Sequence, residues 1–260
     1  MRRLNWIWSA GFVGVFLVAA TPLGPRHARA NDSYGTTPLL TSSSALPGQK
    51  AAAKTKRAKK KVEKEDAENE RCVTFEKSEL GKVPKGWTVD KTGRGEGSEW
   101  SIVADPTSPS KTGYVLARLA KSPGRVFNLC ILDDWSQRDV EIEVRFKAVK
   151  GKIDQGGGIV WRYQDANNYY IARMNPLEDN LRFYKVVKGK RTQLATQEGI
   201  KIPVGKWQTL AVDCIGNKIT CELNGKKVFT KTDDTFEKAG KIGLWTKADA
   251  RTRFDNFEFE

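Results

Sequence analysis

Histidine is nearly missing from this 260-residue sequence: the only one, His27, lies in the N-terminal stretch. A chain processed behind it has no imidazole, which excludes Ser-His-Asp and Cys-His catalysis and every histidine-ligated metal site. Cysteine is also sparse. Cys72, Cys130, Cys214 and Cys221 form no C-x-x-C pair, so no thiolate metal or redox motif of that spacing exists. There is no D-x-D-x-D calcium loop. No stretch behind the N-terminal segment holds a helical apolar period over three turns. The apolar run Leu4 to Ala20 covers 17 residues, short of the roughly 20 needed to span a bilayer.

That run follows Arg2 and Arg3 and gives way to a polar stretch ending Ala28-Arg29-Ala30, the three-part layout of a secretory signal peptide with an A-x-A cleavage site. Residues 1–30 are expected to be a signal peptide cleaved after Ala30, leaving no integral membrane domain; an uncleaved anchor is the alternative. The chain is accordingly expected to be exported, to the bacterial periplasm, the cell surface or the medium. Formal charge is +14, and the first 30 residues hold four arginines and no acid, so 41 basic against 31 acidic side chains, +10, remain behind them. Residues 31–70 are rich in Ser, Thr, Ala, Gly and Pro, then turn to a lysine-rich run (Lys54 to Lys61) and an acidic one (Glu63 to Glu70). Nothing here can bury a core, and the segment is expected to be a disordered tether. No aromatic residues interleave with these lysines to stack bases, so nucleic acid is not expected as a partner.

Residues 71–260 read as β almost throughout. In RDVEIEVRFK, Val140, Ile142, Val144 and Phe146 alternate with Glu141, Glu143, Arg145 and Lys147, the period of a strand with one wet face. Comparable runs recur at 127–132, 158–163, 169–174, 181–187, 209–214, 218–223, 241–245 and 254–259. Lys188-Gly189, Gly216-Asn217 and Asn224-Gly225 punctuate them as turns. Many short antiparallel strands in one domain predict an all-β, two-sheet sandwich or jelly roll.

Turn positions assign faces. A two-residue turn at Lys188-Gly189 sets Val187 opposite Lys190. Leu181, Phe183 and Leu194 then share a core face, and Arg182, Tyr184, Arg191 and Gln193 share the other. A four-residue loop Asp165 to Asn168 would bury Ile159, Trp161, Tyr163, Tyr170, Ala172 and Met174, and would add Arg162, Tyr169 and Arg173 to the polar face. Trp245 and Lys247, at a strand end, and the carboxylates of Asp165, Glu178 and Asp249 can reach the same surface. Such a row suits a saccharide, whose ring face stacks on aromatics while its hydroxyls bond planar donors. Alternatively, Arg162, Arg173 and Arg182 pair with Asp165, Glu178 and Asp249 and merely keep the sheet hydrated. Trp161 and Trp207 are expected in the core. With Gly216-Asn217 as a turn, Cys214 and Cys221 sit diagonally at roughly 7 to 8 Å, too far to bridge comfortably; core thiols or bridges elsewhere are both open.

The strings GGGIVWRYQDANNYYIARMNPLEDNLRFYKVVKGKRTQL (156–194), KWQTLAVDCIGNKITCELNGKKVF (206–229) and AGKIGLWTKADARTRFDNFEFE (239–260) resemble the concanavalin A-like, laminin G-like jelly rolls of exported bacterial proteins. Within them the sequence is most similar to the branch named for 3-keto-disaccharide hydrolase, also labelled family 16 glycoside hydrolase-like. The resemblance implies a sandwich whose concave sheet often holds carbohydrate, and it implies an activity less directly, because such folds host enzymes, lectins and adhesive modules. Family 16 enzymes carry an E-x-D-x-x-E strand; the nearest match, Glu141-Ile142-Glu143-Val144-Arg145, has arginine where an acid is wanted and reads as a solvated strand face. Laminin G-like folds also bind Ca²⁺ in some cases, with Asp165, Glu178, Asp179 and Asp249 as oxygen donors here; no other cofactor is implied. The expected partner is a carbohydrate or glycoside. The domain is expected to be a carbohydrate-binding module, with a glycoside hydrolase or lyase, or an envelope protein-interaction module, as alternatives.

Overall fold

The computed structural model describes residues 71–260 apart from Ser98 and Ala120; the signal-type segment at 1–30 and the tether at 31–70 lie outside the described residues. The chain forms β1 (Arg71–Val73), β2 (Trp87–Thr92), β3 (Trp100–Ala104), β4 (Tyr114–Arg118), β5 (Phe127–Gln137), β6 (Val140–Lys150), β7 (Gly157–Asp165), β8 (Asn168–Asn175), β9 (Asn180–Val187), β10 (Lys190–Glu198), β11 (Gln208–Ile215), β12 (Lys218–Leu223), β13 (Lys226–Thr232), β14 (Gly240–Lys247) and β15 (Arg251–Phe259). The described residues contain one helical turn, the 3₁₀ segment Lys77–Glu79, and no helix long and apolar enough to cross a membrane.

Two antiparallel sheets result. One runs β13-β12-β11-β6-β15-β4-β3, with β1 also paired to β15; the other runs β10-β9-β8-β7-β14-β5-β2. Their crossovers make the expected jelly-roll sandwich. Both central residues of Lys188-Gly189 and of Asn224-Gly225 have positive φ, the mirror-type geometry that matches strand twist. Val187 duly pairs with Lys190, and Cys214 and Cys221 face Ile219 and Val212.

The core between the sheets takes alternate residues from each strand: Val140, Ile142, Val144 and Phe146 from β6, and Ile159, Trp161, Tyr170, Ala172, Met174, Leu181 and Phe183 from β7 to β9. The Trp161 ring stacks on Phe183 at 5.5 Å and lies 5.4 Å from Tyr170. Aromatic pairs of this geometry contribute about 1 kcal/mol each beyond burial. Cys130, Cys214 and Cys221 are buried thiols, and burial pushes the Cys130, Cys214 and Cys221 thiols up. Trp207 differs from expectation. It is half-buried beside the eight-stranded sheet, with the Lys147 ammonium 4.7 Å above its ring and its Nε1 donating to Thr107 Oγ1. Its strand begins only at Gln208, so no alternation draws Trp207 inward.

Candidate functional site

Residues directly opposite each other in neighbouring strands share a face, and on the outer face of the seven-stranded sheet one row reads Asp90, Leu129, Trp245, Gly158, Arg173, Arg182, Thr196. The next reads Thr88, Ile131, Gly243, Val160, Ile171, Tyr184, Gln193. Strands β10 and β5 stand five spacings apart, about 24 Å in a flat sheet. Yet the Arg191 guanidinium of β10 lies 4.8 Å from the Phe127 ring of β5. Likewise the Thr92 hydroxyl on β2 bonds Tyr169 Oη on β8, four spacings away. The sheet therefore rolls with this face inward and forms a trough. A second apolar cluster, Phe127, Leu129, Ile131, Val160, Tyr169, Ile171, Val186 and Trp245, lines it. Gly158 lies opposite Trp245 and Arg173; a Cβ there would sit 2.5 Å from the Ala172 carbonyl oxygen and 2.9 Å from Arg173 Cβ, so only glycine leaves them room.

Charge gathers at one end. Arg173, 2% exposed, donates through Nη1 to Asn180 Oδ1 (2.7 Å) and through Nη2 to Glu178 Oε2 (2.8 Å) and Tyr184 Oη (3.3 Å). Arg182 donates to the same Glu178 oxygen (2.9 Å) and to Glu198 (3.2 Å). Burial alone would raise the Glu178 carboxyl, but the hydrogen bond and charge of Arg173, with Arg182 behind it, hold it below the usual range. Asp154 is in the opposite state. It is 1% exposed, accepts from the Gly156 amide (2.7 Å) and Asn175 Nδ2 (3.3 Å), and has Lys247 Nζ at 3.8 Å. Burial pushes its carboxyl up, against the Gly156 amide and the Arg173 and Lys247 charges. Asp249 fixes this loop: its carboxylate accepts the backbone amides of Lys152, Ile153 and Asp154.

Over the aromatic floor lies Arg191, its guanidinium carbon 4.3 Å from the Tyr184 ring, 4.8 Å from Phe127 and 5.9 Å from Trp245. Tyr184 is 4% exposed and Trp245 0%, so the rings are covered rather than presented to solvent. Burial lowers the Arg191 pKa. Gln193 is exposed on the edge strand opposite Tyr184.

Of the sequence-predicted residues, Tyr169, Arg173, Arg182, Tyr184, Arg191, Gln193, Trp245 and Lys247 fall on this face, with Glu178 at its end. Arg162 does not. At φ 46 it forms a bulge in β7 that places three residues against one of β8. It turns to the end of the sandwich, donating to the carbonyls of Arg138 (2.9 Å), Phe236 (2.6 Å) and Gly216. Against β14 the same irregularity adds one residue, with Val160 opposite Gly243 and Tyr163 opposite Lys241, so Tyr163, expected in the core, packs on Tyr169 in the trough and donates to Asp90. Gly240 permits the close approach, since a Cβ there would meet the Arg162 backbone at 2.4 Å.

Asp165 pairs with Asn168 across a two-residue turn, not a four-residue loop, and its carboxylate accepts from the Asn167 amide and Asn168 Nδ2. It borders a cavity of about 610 Å³ with Asp90, Tyr163, Gln164, Asn167 and Lys241, apart from the arginine cluster. Asp249 is turned to backbone amides, as described. The ion pairs anticipated with Asp165 and Asp249 are absent among the described residues: Arg173 and Arg182 share Glu178, and Arg162 has Asp139 at 3.6 Å. Glu141 and Glu143 stand on the outer face of the other sheet, with Asp213 opposite Glu141 and Glu258 opposite Glu143. No three His, Cys, Asp or Glu side chains among the described residues converge as metal ligands. Of the donors considered for Ca²⁺, Asp165 accepts turn amides, Glu178 guanidinium groups and Asp249 loop amides.

Sequence reasoning passed over Asp154, Asn175, Asn180 and Glu198. Asp154-Gln155-Gly156 did carry a signal, an acidic turn residue accepting the amide two positions on. Asn175 and Asn180 pair at the ends of the β8–β9 turn.

Residues 74–260 match the family model described as a 3-keto-alpha-glucoside-1,2-lyase-like domain. Among solved structures, a carbohydrate-binding module from Bacillus subtilis aligns at TM-score 0.51 and 23% identity, covering 66% of this chain and 94% of that one. A Bacillus licheniformis beta-glucanase aligns at TM-score 0.44 and 14% identity over 66% of this chain and 97% of that one. No curated protein matches the chain.

Proposed function

The chain belongs to the 3-keto-alpha-glucoside-1,2-lyase-like family, and from that premise we propose that it binds a saccharide at the charged end of the trough, between Asp154, Lys247, Glu178, Arg182 and Arg191. The observation that carries this is the convergence of planar guanidinium donors and two carboxylates beside an aromatic floor in one rolled sheet. Guanidinium groups and carboxylates bond vicinal hydroxyls, and buried polar partners make the loss of a matching hydroxyl costly. The carbohydrate-binding module of similar fold supports the reading. Because the Tyr184 and Trp245 rings are covered, the sugar meets Arg191 and the polar rim first. The layout of residues 1–30 supports export as the setting. Calorimetric titration of the full chain with α- and β-glucosides tests the proposal: binding that Arg182→Ala weakens about tenfold is expected, and absence of binding to every glycoside would overturn it.

A second reading is favoured by the opposed states of Asp154 and Glu178, since groups pushed apart in pKa are the usual acid and base pair. In a 3-keto-glucoside the C2 proton is acidified by the ketone. A carboxylate takes that proton, the electron pair forms the C1–C2 double bond, the C1–O bond breaks, and a protonated group gives its proton to the leaving oxygen. The product is a conjugated enone, so appearance of its ultraviolet absorption with a 3-keto-glucoside, abolished by Asp154→Asn, is the expected result; no absorbance change with the wild-type chain would dismiss this chemistry.

A further inference from the structure

One cation of the trough is left without an acid of its own, while the others are paired, Arg182 with Glu198 as well as Glu178. Glu178 is shared by Arg173 and Arg182. Asp154 is turned to the Gly156 amide, with Lys247 only at 3.8 Å. Arg191 has no carboxylate within ion-pair distance among the described residues; it rests on rings alone. Two buried guanidinium N–H groups on this face have no hydrogen-bond acceptor, Arg191 Nη1 and Arg173 Nε. A buried donor left unmade costs about 1–3 kcal/mol, more when charged, and native proteins retain few of them. Their gathering on one face next to an unpaired guanidinium calls for an anionic acceptor. A guanidinium fork matches a planar carboxylate with two parallel bonds, which a hydroxyl cannot supply.

We infer that the saccharide held here carries a carboxylate, as in a uronic acid, with Arg191 as its counter-ion. The inference rests on the saccharide reading and sharpens it. Stacked on Tyr184, Phe127 and Trp245, Arg191 keeps its charge on a soft surface in the free protein, and the carboxylate draws its fork out of that stack. The loose Lys247–Asp154 pair stands at the same end and completes a cationic rim.

The test titrates the full chain with methyl glucuronide and methyl galacturonide, their neutral parents methyl glucoside and methyl galactoside, and sodium acetate. At least one uronide is expected to bind ten times or more tightly than its parent, with acetate showing no saturable binding, and added salt is expected to erode the preference. Arg191→Gln should remove the preference, and Arg191→Lys should restore part of the charge effect without the bidentate fit; melting curves check that each variant folds. Equal affinity for uronide and parent would overturn the carboxylate and leave the saccharide reading standing. Acetate binding as tightly as the uronides would also overturn it, showing an anion site indifferent to sugar. Silence from all four glycosides would remove the saccharide reading itself.

Discussion

The outer faces of the two sheets both carry carboxylates on alternating strands, yet they treat them in opposite ways. On the eight-stranded sheet, burial and the charges of Asp213, Glu260 and Glu222 push the Glu141 carboxyl up; Glu143 is raised by burial, with Glu258 and Glu222, against Arg145. On the seven-stranded sheet Glu178 sits between two guanidinium groups and is held down. The two faces differ in curvature as well as in partners. A rolled face brings side chains from distant strands together, while an outward face leaves each acid to its strand neighbours and to water. The E-x-E string that most resembles a catalytic strand is therefore the solvated one, and the buried and paired acids of the rolled face, Asp154 and Glu178, come from a loop and a turn.

Removing Arg173 should break the contrast most severely. Arg173→Ala strips Asn180 and Tyr184 of their donor and leaves Glu178 with Arg182 as its one cation, and a destabilisation of about 3 kcal/mol is expected in denaturant unfolding. Next comes the trough floor: Gly158→Ala should cost about 2 kcal/mol through overpacking against Ala172 and Arg173, read as a lower unfolding midpoint. Acid titration separates the two faces. Glu178 has a lowered folded pKa, so the stability it lends is present above the ordinary glutamate value near 4.3 and is lost as pH falls toward the folded value; Glu178→Gln should flatten that part of the stability curve. Glu141 has a raised folded pKa, so its ionised form weakens the fold and protonation relieves the strain as pH drops. Glu141→Gln should accordingly raise the melting temperature by about 1–2 °C at pH 7, with the gain fading as pH falls through the raised folded value and gone by about pH 4.

Much of this arrangement was legible in the residues. The alternation in β6 gives its wet and dry sides, and the Lys188-Gly189 turn alone puts Arg182, Tyr184, Arg191 and Gln193 on one face, because opposite residues in a hairpin share a side. β2, β3 and β4 were less visible: they are short, and most of β4 and the first three residues of β3 are buried on both faces, so neither alternates. The bulge at Arg162 has no mark in composition, since its positive φ is imposed by Gly240 and the carbonyls that receive the guanidinium. Asp154 lies in a loop with no period to expose it. The covering of Tyr184 and Trp245 depends on the roll of seven strands, a property no single hairpin carries.

Amide hydrogen exchange of the full chain, with and without a saturating glycoside, tests the central claim most directly. Slowed exchange confined to the 151–156 loop, residues 173–182, 190–193 and 245–247, with 140–147 and 209–214 unchanged, is the predicted outcome. Protection on the acidic face instead, or at neither face while the glycoside is demonstrably bound, would contradict it.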